Sequence, residues 1–89
     1  MTWTSWAHLA IDLGKAIRRE RESLGFSQEH IAHDAGLSVR HYAKVERGKA
    51  NATISTLLSI AGVLGLGFDE LVRSAALVAK REAASRKMR

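Results

Sequence analysis

The sequence predicts an all-α fold of five short helices. Proline is absent from the 89 residues, no run of β-branched residues occurs, and apolar residues recur at helical rather than alternating spacing. Serine or threonine precedes several of these apolar patterns and glycine follows them, which is the order expected of helix N-caps and C-terminal stops. A chain of this length can build one modest core, so we expect a single domain over residues 1–89.

The first two predicted helices lie in the N-terminal part of the chain. Helix one runs from about Ser5 to Leu24 and stops at Gly25. Its inward residues are Leu9, Leu13, Ile17 and Leu24. Helix two is short, with Ser27 as its N-cap and Gly36 as its stop. Its inward residues are Ile31, Ala32 and Ala35.

Three more helices follow at short intervals. Ser38 and Thr53 are the expected N-caps of helices three and four. The inward residues of these two helices are Tyr42, Val45, Leu57, Leu58, Ile60, Ala61 and Leu64. Asp69 and Glu70 occupy the first turn of helix five, where acidic side chains interact favourably with the helix dipole.

The turn between helices two and three is the most informative spacing. Helix two ends at Ala35 and helix three begins after Ser38, so about three residues, the first of them glycine, join the two. Such a short turn makes the helices cross steeply, as in a helix-turn-helix, and Gly36 supplies the left-handed conformation at little steric cost. A generic helical hairpin fits the same spacing.

Charge favours an anionic partner. The chain carries 14 Lys and Arg against 9 Asp and Glu, a formal net charge of +5. The central cluster consists of Arg40, Lys44, Arg47 and Lys49, with Glu46 as its only acidic neighbour. Further clusters lie within residues 15–21 and 80–89. A solvated helix face is the alternative explanation for any one of them.

Four motifs follow one another within residues 13–71: R-x-x-x-G-x-S-Q at residues 21–28, AGLS at the turn, VERG at the end of helix three and L-x-x-IA-x-x-LG in helix four. This ordered set resembles the helix-turn-helix domain of the lambda-repressor/Cro-like (XRE) family. Ala52 departs from the family, which often has proline there. The resemblance implies a lambda-repressor-like DNA-binding domain with an N-terminal extension, 1–12, and an extended C-terminal helix and basic tail, 72–89.

The resemblance also implies DNA-contacting residues. Base reading in the major groove falls to Ser38, Val39, Arg40, His41 and Lys44, and phosphate binding to Gln28, Arg47, Lys49 and Asn51. Arg40 is able to donate two hydrogen bonds to guanine, worth about 1–3 kcal/mol of discrimination. Arg21 and Glu46 match a family ion pair that braces helix one against the end of helix three. Ordinary solvent exposure is the alternative, above all for Gln28 and His41.

Three histidines near the turn suggest a metal site as an alternative. His30 and His33 are three residues apart, but both are expected to face outward, and His41 belongs to a different helix. Because the chain has no cysteine, a four-ligand structural site is not expected, and we predict no metal and no cofactor. The sequence also lacks a glycine-rich phosphate loop and a nucleophile paired with a base, so no enzymatic activity is expected.

Helix five is predicted to form a subunit interface. Residues 75–79 are apolar on every side, which indicates burial on every side. We therefore expect a two-fold homodimer built on Leu71, Val72, Ala75, Val78 and Ala79. Trp3 and Trp6 are expected either to cap the core beside helix five or to extend that interface.

The sequence thus predicts a transcriptional regulator that binds palindromic double-stranded operator DNA as a homodimer, with recognition helices about 34 Å apart. Its size and layout are similar to those of the controller proteins of restriction–modification systems. Antitoxins and phage-type repressors share the pattern, and a protein-interaction module that has lost DNA binding is the competing class. No signal peptide, membrane span or small-molecule effector is expected, and the absence of cysteine suits the cytoplasm.

Overall fold

The computed structural model describes residues 3–87, and it contains five α-helices in this part of the chain. The helices are α1 (Trp6–Ser23), α2 (Gln28–Asp34), α3 (Val39–Glu46), α4 (Ile54–Val63) and α5 (Phe68–Lys87). No strand occurs among the described residues, so the predicted all-α, five-helix fold is confirmed. The last two residues of the predicted basic tail, Met88 and Arg89, lie outside the described residues.

Helices α1 to α4 each begin at a side-chain cap. The hydroxyl oxygen of the capping residue accepts a hydrogen bond from the backbone N–H three residues further on, which pairs an amide that the helix itself leaves unpaired. The capping residues are Ser5, Ser27, Ser38 and Thr53. The predicted caps of the second, third and fourth helices are therefore confirmed.

A single core forms where the five helices meet. Each helix contributes one large side chain that is fully buried, and burying a side chain of this kind stabilises the fold by about 1.5–3 kcal/mol. These side chains are Ile17, Ile31, Tyr42, Ile60 and Leu71. Helix α1 packs against α3 and α5, and α2 packs against α3 and α4, so α2 and α3 are held on a platform made by the other helices.

Helices α1 and α3 approach each other closely at Gly14. A Cβ atom at this position would lie 2.5 Å from the carbonyl oxygens of Val45 and Glu46. Directly after α3, Gly48 has a φ of +70° and also lies against α1, where a Cβ atom would be 2.7 Å from the Cα of Ile11. Glycine at both positions lets the end of α3 rest directly on the backbone of α1.

Two of the leucines predicted to face inward are exposed instead. Leu24 is 46% exposed because it follows the last turn of α1 as its C-cap. Leu58 is 50% exposed because the inner stripe of α4 consists of Leu57, Ile60, Ala61 and Leu64. That stripe has the i, i+3, i+4, i+7 spacing of one helix face, and the residue after Leu57 points about 100° away from it.

The predicted dimer interface on α5 is wrong for three of its five residues. Leu71, Ala75 and Val78 are 0%, 0% and 5% exposed and belong to the monomer core. Val72 and Ala79 flank this stripe and are only half-buried. The reason is that α5 uses this stripe to pack on α1 and α4 within the same chain.

The sequence predicts burial on every side for residues 75–79, and the single chain alone does not provide it. Leu77 lies within this stretch and is 52% exposed.

Among residues 3–87 no single helix is long and apolar enough to cross a membrane. Only α4 and α5 taken as a pair reach that length and hydropathy, and they are bent by 92° where they join.

Trp3 precedes α1 and lies between α1 and α5. Trp3 packs against the core, and its indole Nε1 donates a hydrogen bond of 2.9 Å to the buried carboxylate of Asp12. It lines a cleft together with Ala79 and Ala83 of α5. Trp3 therefore caps the core beside α5, the first of the two roles predicted for the tryptophans, whereas Trp6 is 40% exposed.

Candidate nucleic-acid interface

Helices α2 and α3 are joined by the short turn that the sequence predicts. Gly36 has a φ of +73°, and its N–H donates to the carbonyl oxygen of His33 at 3.1 Å. The N–H of Leu37 donates to the carbonyl oxygen of Ala32 at 2.8 Å, and the Leu37 side chain packs against the core. The backbone thus reverses within residues 35–38, and Ser38 then starts α3 as its N-cap.

Helix α3 has one buried face and one exposed, basic face. Tyr42, Val45 and Glu46 are buried. The predicted base-reading residues lie on or before the other face: Ser38, Val39, Arg40 and Lys44 are exposed, and His41 is half-buried. The structure therefore brings these five residues together at the surface of one helix.

The predicted phosphate-binding residues lie around the two ends of this helix pair. Gln28 is the first residue of α2, and Arg47, Lys49 and Asn51 follow α3 and are exposed. Gln28, Arg47 and Lys49 line one open groove of about 840 Å³, which we call the basic groove. Its lining residues are Ile11, Lys15, Arg18, Arg21, Ser27, Gln28, Glu46, Arg47 and Lys49.

Two cations of the basic groove, Lys15 and Arg18, were not assigned a role from the sequence. They come from α1, far from the turn in sequence, and only the packing of α1 against α3 brings them beside Arg47 and Lys49. The signal that could have identified them is the cluster of cations at residues 15–21, whose three-residue spacing from Lys15 to Arg18 places both side chains on one helix face.

In the lining of the groove, Glu46 accepts hydrogen bonds from three other side chains. Arg21 of α1 donates from Nε to Oε2 at 2.6 Å and from Nη2 to Oε1 at 3.1 Å. Gln28 of α2 donates from Nε2 at 3.0 Å, and Tyr42 donates from its hydroxyl at 2.5 Å. We call these four residues the Glu46 brace. It confirms the predicted pairing of Arg21 with Glu46 and adds two members that the sequence did not predict.

The protonation states of the brace follow from this geometry. Burial raises the pKa of the Glu46 carboxyl, but the hydrogen bonds from Arg21, Tyr42 and Gln28 outweigh burial, and the pKa lies below its ordinary value. The hydrogen bond to Glu46 raises the pKa of Arg21. Burial and the same carboxylate raise the pKa of Tyr42. The brace therefore holds a carboxylate, a guanidinium and a neutral phenol.

The brace also fixes Gln28, one of the predicted phosphate-binding residues. Its amide nitrogen donates to Glu46, so this side chain is held at the edge of the groove. A primary amide has a second N–H, and phosphate binding by that N–H stays a prediction.

The three histidines that suggest a metal site lie on two different helices. His30 and His33 are exposed on α2, and each has a ring nitrogen 3.3 Å from a carboxylate oxygen of Asp34. The ring of His30 also stacks on Phe26, with centroids 4.4 Å apart. His41 lies on α3. Within residues 3–87, no group of three or more His, Cys, Asp or Glu side chains is placed to hold a metal ion.

The tight turn between α2 and α3, the exposed basic face of α3 and the brace beneath it define a helix-turn-helix domain. Residues 17–71 match the family model described as Helix-turn-helix, HTH_3. The match covers more than half of the chain, and the protein belongs to this helix-turn-helix family, of XRE type. The resemblance predicted from the sequence motifs is thereby confirmed.

Known relatives of the chain are regulators of transcription. This chain is 36% identical over 69 residues to the immunity repressor protein of Bacillus phage phi105. The match covers 78% of this chain and 46% of the repressor. The chain thus spans about half the length of that relative.

Two solved structures share the fold. The clp gene regulator ClgR from Corynebacterium glutamicum superimposes with a TM-score of 0.85 at 25% identity, over 90% of this chain and 85% of ClgR. The restriction-modification controller protein C.AhdI from Aeromonas hydrophila superimposes with a TM-score of 0.68 at 32% identity, over 70% of this chain and 94% of the controller. These relatives are regulators and not enzymes, in agreement with the prediction for this chain.

Proposed function

We propose that this transcriptional regulator binds double-stranded operator DNA with α3 in the major groove. The observation that carries the proposal is that two cations on the exposed face of α3 have no carboxylate partner among the described residues. Arg40 and Lys44 form no ion pair with a carboxylate of residues 3–87, whereas Arg18, Arg21 and Arg73 each do. Cations on the exposed face of a helix that have no carboxylate partner are available to base edges and phosphates.

Base reading is assigned to the exposed residues of α3. Arg40 donates two hydrogen bonds to guanine O6 and N7, the commonest specific contact in the major groove. Val39, which is 39% exposed, packs on a thymine methyl group, and Lys44 donates one turn further along to guanine or to a phosphate. Ser38 and His41 complete the reading face as shorter polar donors.

Phosphate binding is assigned to residues on either side of α3. Gln28 precedes it at the start of α2, and Arg47, Lys49 and Asn51 follow it in the loop to α4. Such contacts fix the orientation of α3 in the groove without reading sequence. The Glu46 brace supports this arrangement because it ties Gln28 to the last turn of α3 and both of them to α1.

We further propose that the protein acts as a two-fold homodimer on a palindrome, with α4 and not α5 in the interface. Residues 50–68 contain no Asp, Glu, Lys or Arg, in a chain of net charge +5. Two positively charged copies repel each other least where neither carries charge. Within this segment Ile54 and Leu58 are 67% and 50% exposed, one turn apart on the same face of α4. A second copy of the chain fits that surface.

The regulated system is proposed more narrowly from two relatives. The likeness to C.AhdI spans 94% of that controller, which supports control of a restriction–modification operon. The likeness to a phage immunity repressor supports repression of phage-type promoters as the second candidate. Either role implies a cytoplasmic protein. We also propose that residues 1–89 form one domain with its family-like core at 13–71.

Selection of bound duplexes from a random DNA pool tests the function. We expect the wild-type protein to enrich an inverted repeat whose half-sites are one or more helical turns apart. Enrichment of a single half-site would contradict the homodimer. Failure to enrich any sequence, by a protein that is folded by circular dichroism, would favour a protein-interaction module instead.

A further inference from the structure

The basic groove has a wall on α1 that the proposed DNA contacts do not use. Lys15 and Arg18 line it together with Gln28, Arg47 and Lys49. Among its lining residues the groove holds five cations, Lys15, Arg18, Arg21, Arg47 and Lys49, and one carboxylate, Glu46. Because Arg21 neutralises Glu46 inside the brace, the other four cations give the groove a positive potential, which Glu82 and Glu22 reduce where they pair with Lys15 and Arg18.

Lys15 stands at the boundary between this groove and a second cleft. The second cleft, of about 350 Å³, lies between α1 and α5, and Lys15 and Arg18 line it as well. Glu82 of α5 lines the second cleft but not the basic groove, and its carboxylate accepts a hydrogen bond from the Lys15 ammonium. The two side chains are 47% and 40% exposed, so this pair is weak and screened by salt.

Arg18 has a looser partner. Its Nε lies 3.6 Å from a carboxylate oxygen of Glu22, and the two side chains are 62% and 53% exposed. That distance is too long for a hydrogen bond, so the five N–H donors of the guanidinium stay available to an oxyanion. Arg18 is therefore ready to bind a phosphate, whereas Lys15 must first leave Glu82.

We propose that Lys15 and Arg18 bind the backbone of operator DNA in the basic groove, and that Glu82 competes with a DNA phosphate for Lys15. The inference rests on the proposed function, because a strand held by Arg47 and Lys49 lies in the groove whose other cations outside the brace are Lys15 and Arg18. When DNA enters, the Lys15 ammonium exchanges a carboxylate for a phosphate. Glu82 is then left in water, where its charge is well solvated. Through this exchange the C-terminal helix lowers DNA affinity.

The salt dependence of binding tests the two cations. With a duplex that carries the selected inverted repeat, the slope of log K against log salt concentration changes by about 0.9 for each phosphate contact. We expect Lys15→Gln and Arg18→Gln each to reduce the slope by about one per bound protomer and to weaken binding several-fold. Lys15→Arg keeps the charge and should retain the slope. Lys80→Gln is the matched control, because it removes the same charge from an exposed residue of α5 outside the groove.

A double-mutant cycle tests the competition. Glu82→Gln is expected to tighten binding several-fold in the wild-type background and to have no effect in the Lys15→Gln background. An increase that persists without Lys15 would come from net charge alone and would overturn the competition. Unchanged slopes in both cation variants, beside a steep wild-type slope, would overturn the α1 contact but leave the proposed function standing. A wild-type protein that binds no duplex would overturn the proposed function itself.

Discussion

The guanidinium of Arg21 and the carboxylate of Glu46 join the last turn of α1 to the last residue of α3. Arg21 Nε lies 2.6 Å from Glu46 Oε2 across a separation of 25 residues in sequence. The same end of α3 rests on Gly14, where no side chain separates it from α1. An ion pair and a backbone contact, both with α1, therefore fix the orientation of α3.

Removing one partner of this pair should be worse than replacing both. Glu46→Ala leaves the Arg21 charge, 13% exposed, without its carboxylate, and we expect a loss of about 3 kcal/mol in the free energy of unfolding. The double variant Arg21→Met/Glu46→Met exchanges the two charges for apolar volume and should lose less. Urea denaturation measures both, with Arg73→Met as a control at an exposed ion pair. Equal losses in the single and double variants would contradict the role of the charge.

The free energy of unfolding should fall at acidic pH because Glu46 becomes protonated. Its pKa is lowered in the folded protein from an ordinary value of 4.5, so the unfolded chain takes up a proton first as the pH falls. The stabilisation is therefore present above pH 4.5 and is lost as the pH falls through the lowered value. Urea denaturation between neutral and acidic pH is expected to show this loss, and Glu46→Gln should flatten the curve. A parallel curve for the variant would assign the acid sensitivity to other carboxylates.

The sequence predicted the helices well because their boundaries are local features. Ser27, Ser38 and Thr53 cap helices through contacts three residues away. A pattern of such short range can be recognised directly in the sequence. The Arg21–Glu46 pair was predicted only through the family resemblance. The hydroxyl of Tyr42 was not predicted to join it, because an inward tyrosine looks like any other core residue until its neighbours are known.

Other predictions were wrong because an apolar stripe in the sequence does not show which surface packs against it. Periodicity shows that α5 buries a stripe, but it does not say whether α1 of the same chain or a second subunit covers it. Leu71, Ala75 and Val78 were therefore assigned to a dimer although they build the monomer core. The sequence also shows Lys15 and Arg18 as part of a charge cluster but not their position beside Arg47 and Lys49. Only the packing of α1 against α3 sets that position.

Gly14 offers a test in which helix propensity and packing oppose each other. Alanine in place of a helical glycine gains about 1 kcal/mol from propensity. At Gly14, however, the new Cβ would meet two backbone carbonyls at 2.5 Å, so we expect Gly14→Ala to destabilise the fold by about 1–3 kcal/mol. Gly62→Ala in α4 is the matched control, because a Cβ there meets nothing within 4 Å, and it should be neutral or stabilising. Thermal and urea unfolding compare them; a stabilised Gly14→Ala protein would show that α1 and α3 are not in close contact.

The proposed dimer surface on α4 can be separated from other exposed apolar residues. Leu58 on α4 and Leu77 on α5 are 50% and 52% exposed, so a glutamate at either position should leave the monomer core intact. We expect Leu58→Glu to be monomeric by sedimentation equilibrium at micromolar concentration, because it puts two like charges opposite each other across a two-fold axis. Leu77→Glu should stay dimeric. If Leu77→Glu dissociates and Leu58→Glu does not, the interface lies on α5.

Arg40 and Lys49 should differ in what they contribute to DNA binding. Arg40 is assigned to a base edge, so Arg40→Ala should weaken binding to the selected operator by about 1–3 kcal/mol, roughly 5- to 150-fold, and relax the base preference at one position. Lys49 is assigned to a phosphate, so Lys49→Ala should weaken binding to operator and to random duplex alike and lower the salt slope by about one per protomer. Gel-shift titrations against both duplexes at several salt concentrations measure these effects. If Arg40→Ala weakens binding to operator and to random DNA equally, Arg40 contacts a phosphate and does not read a base.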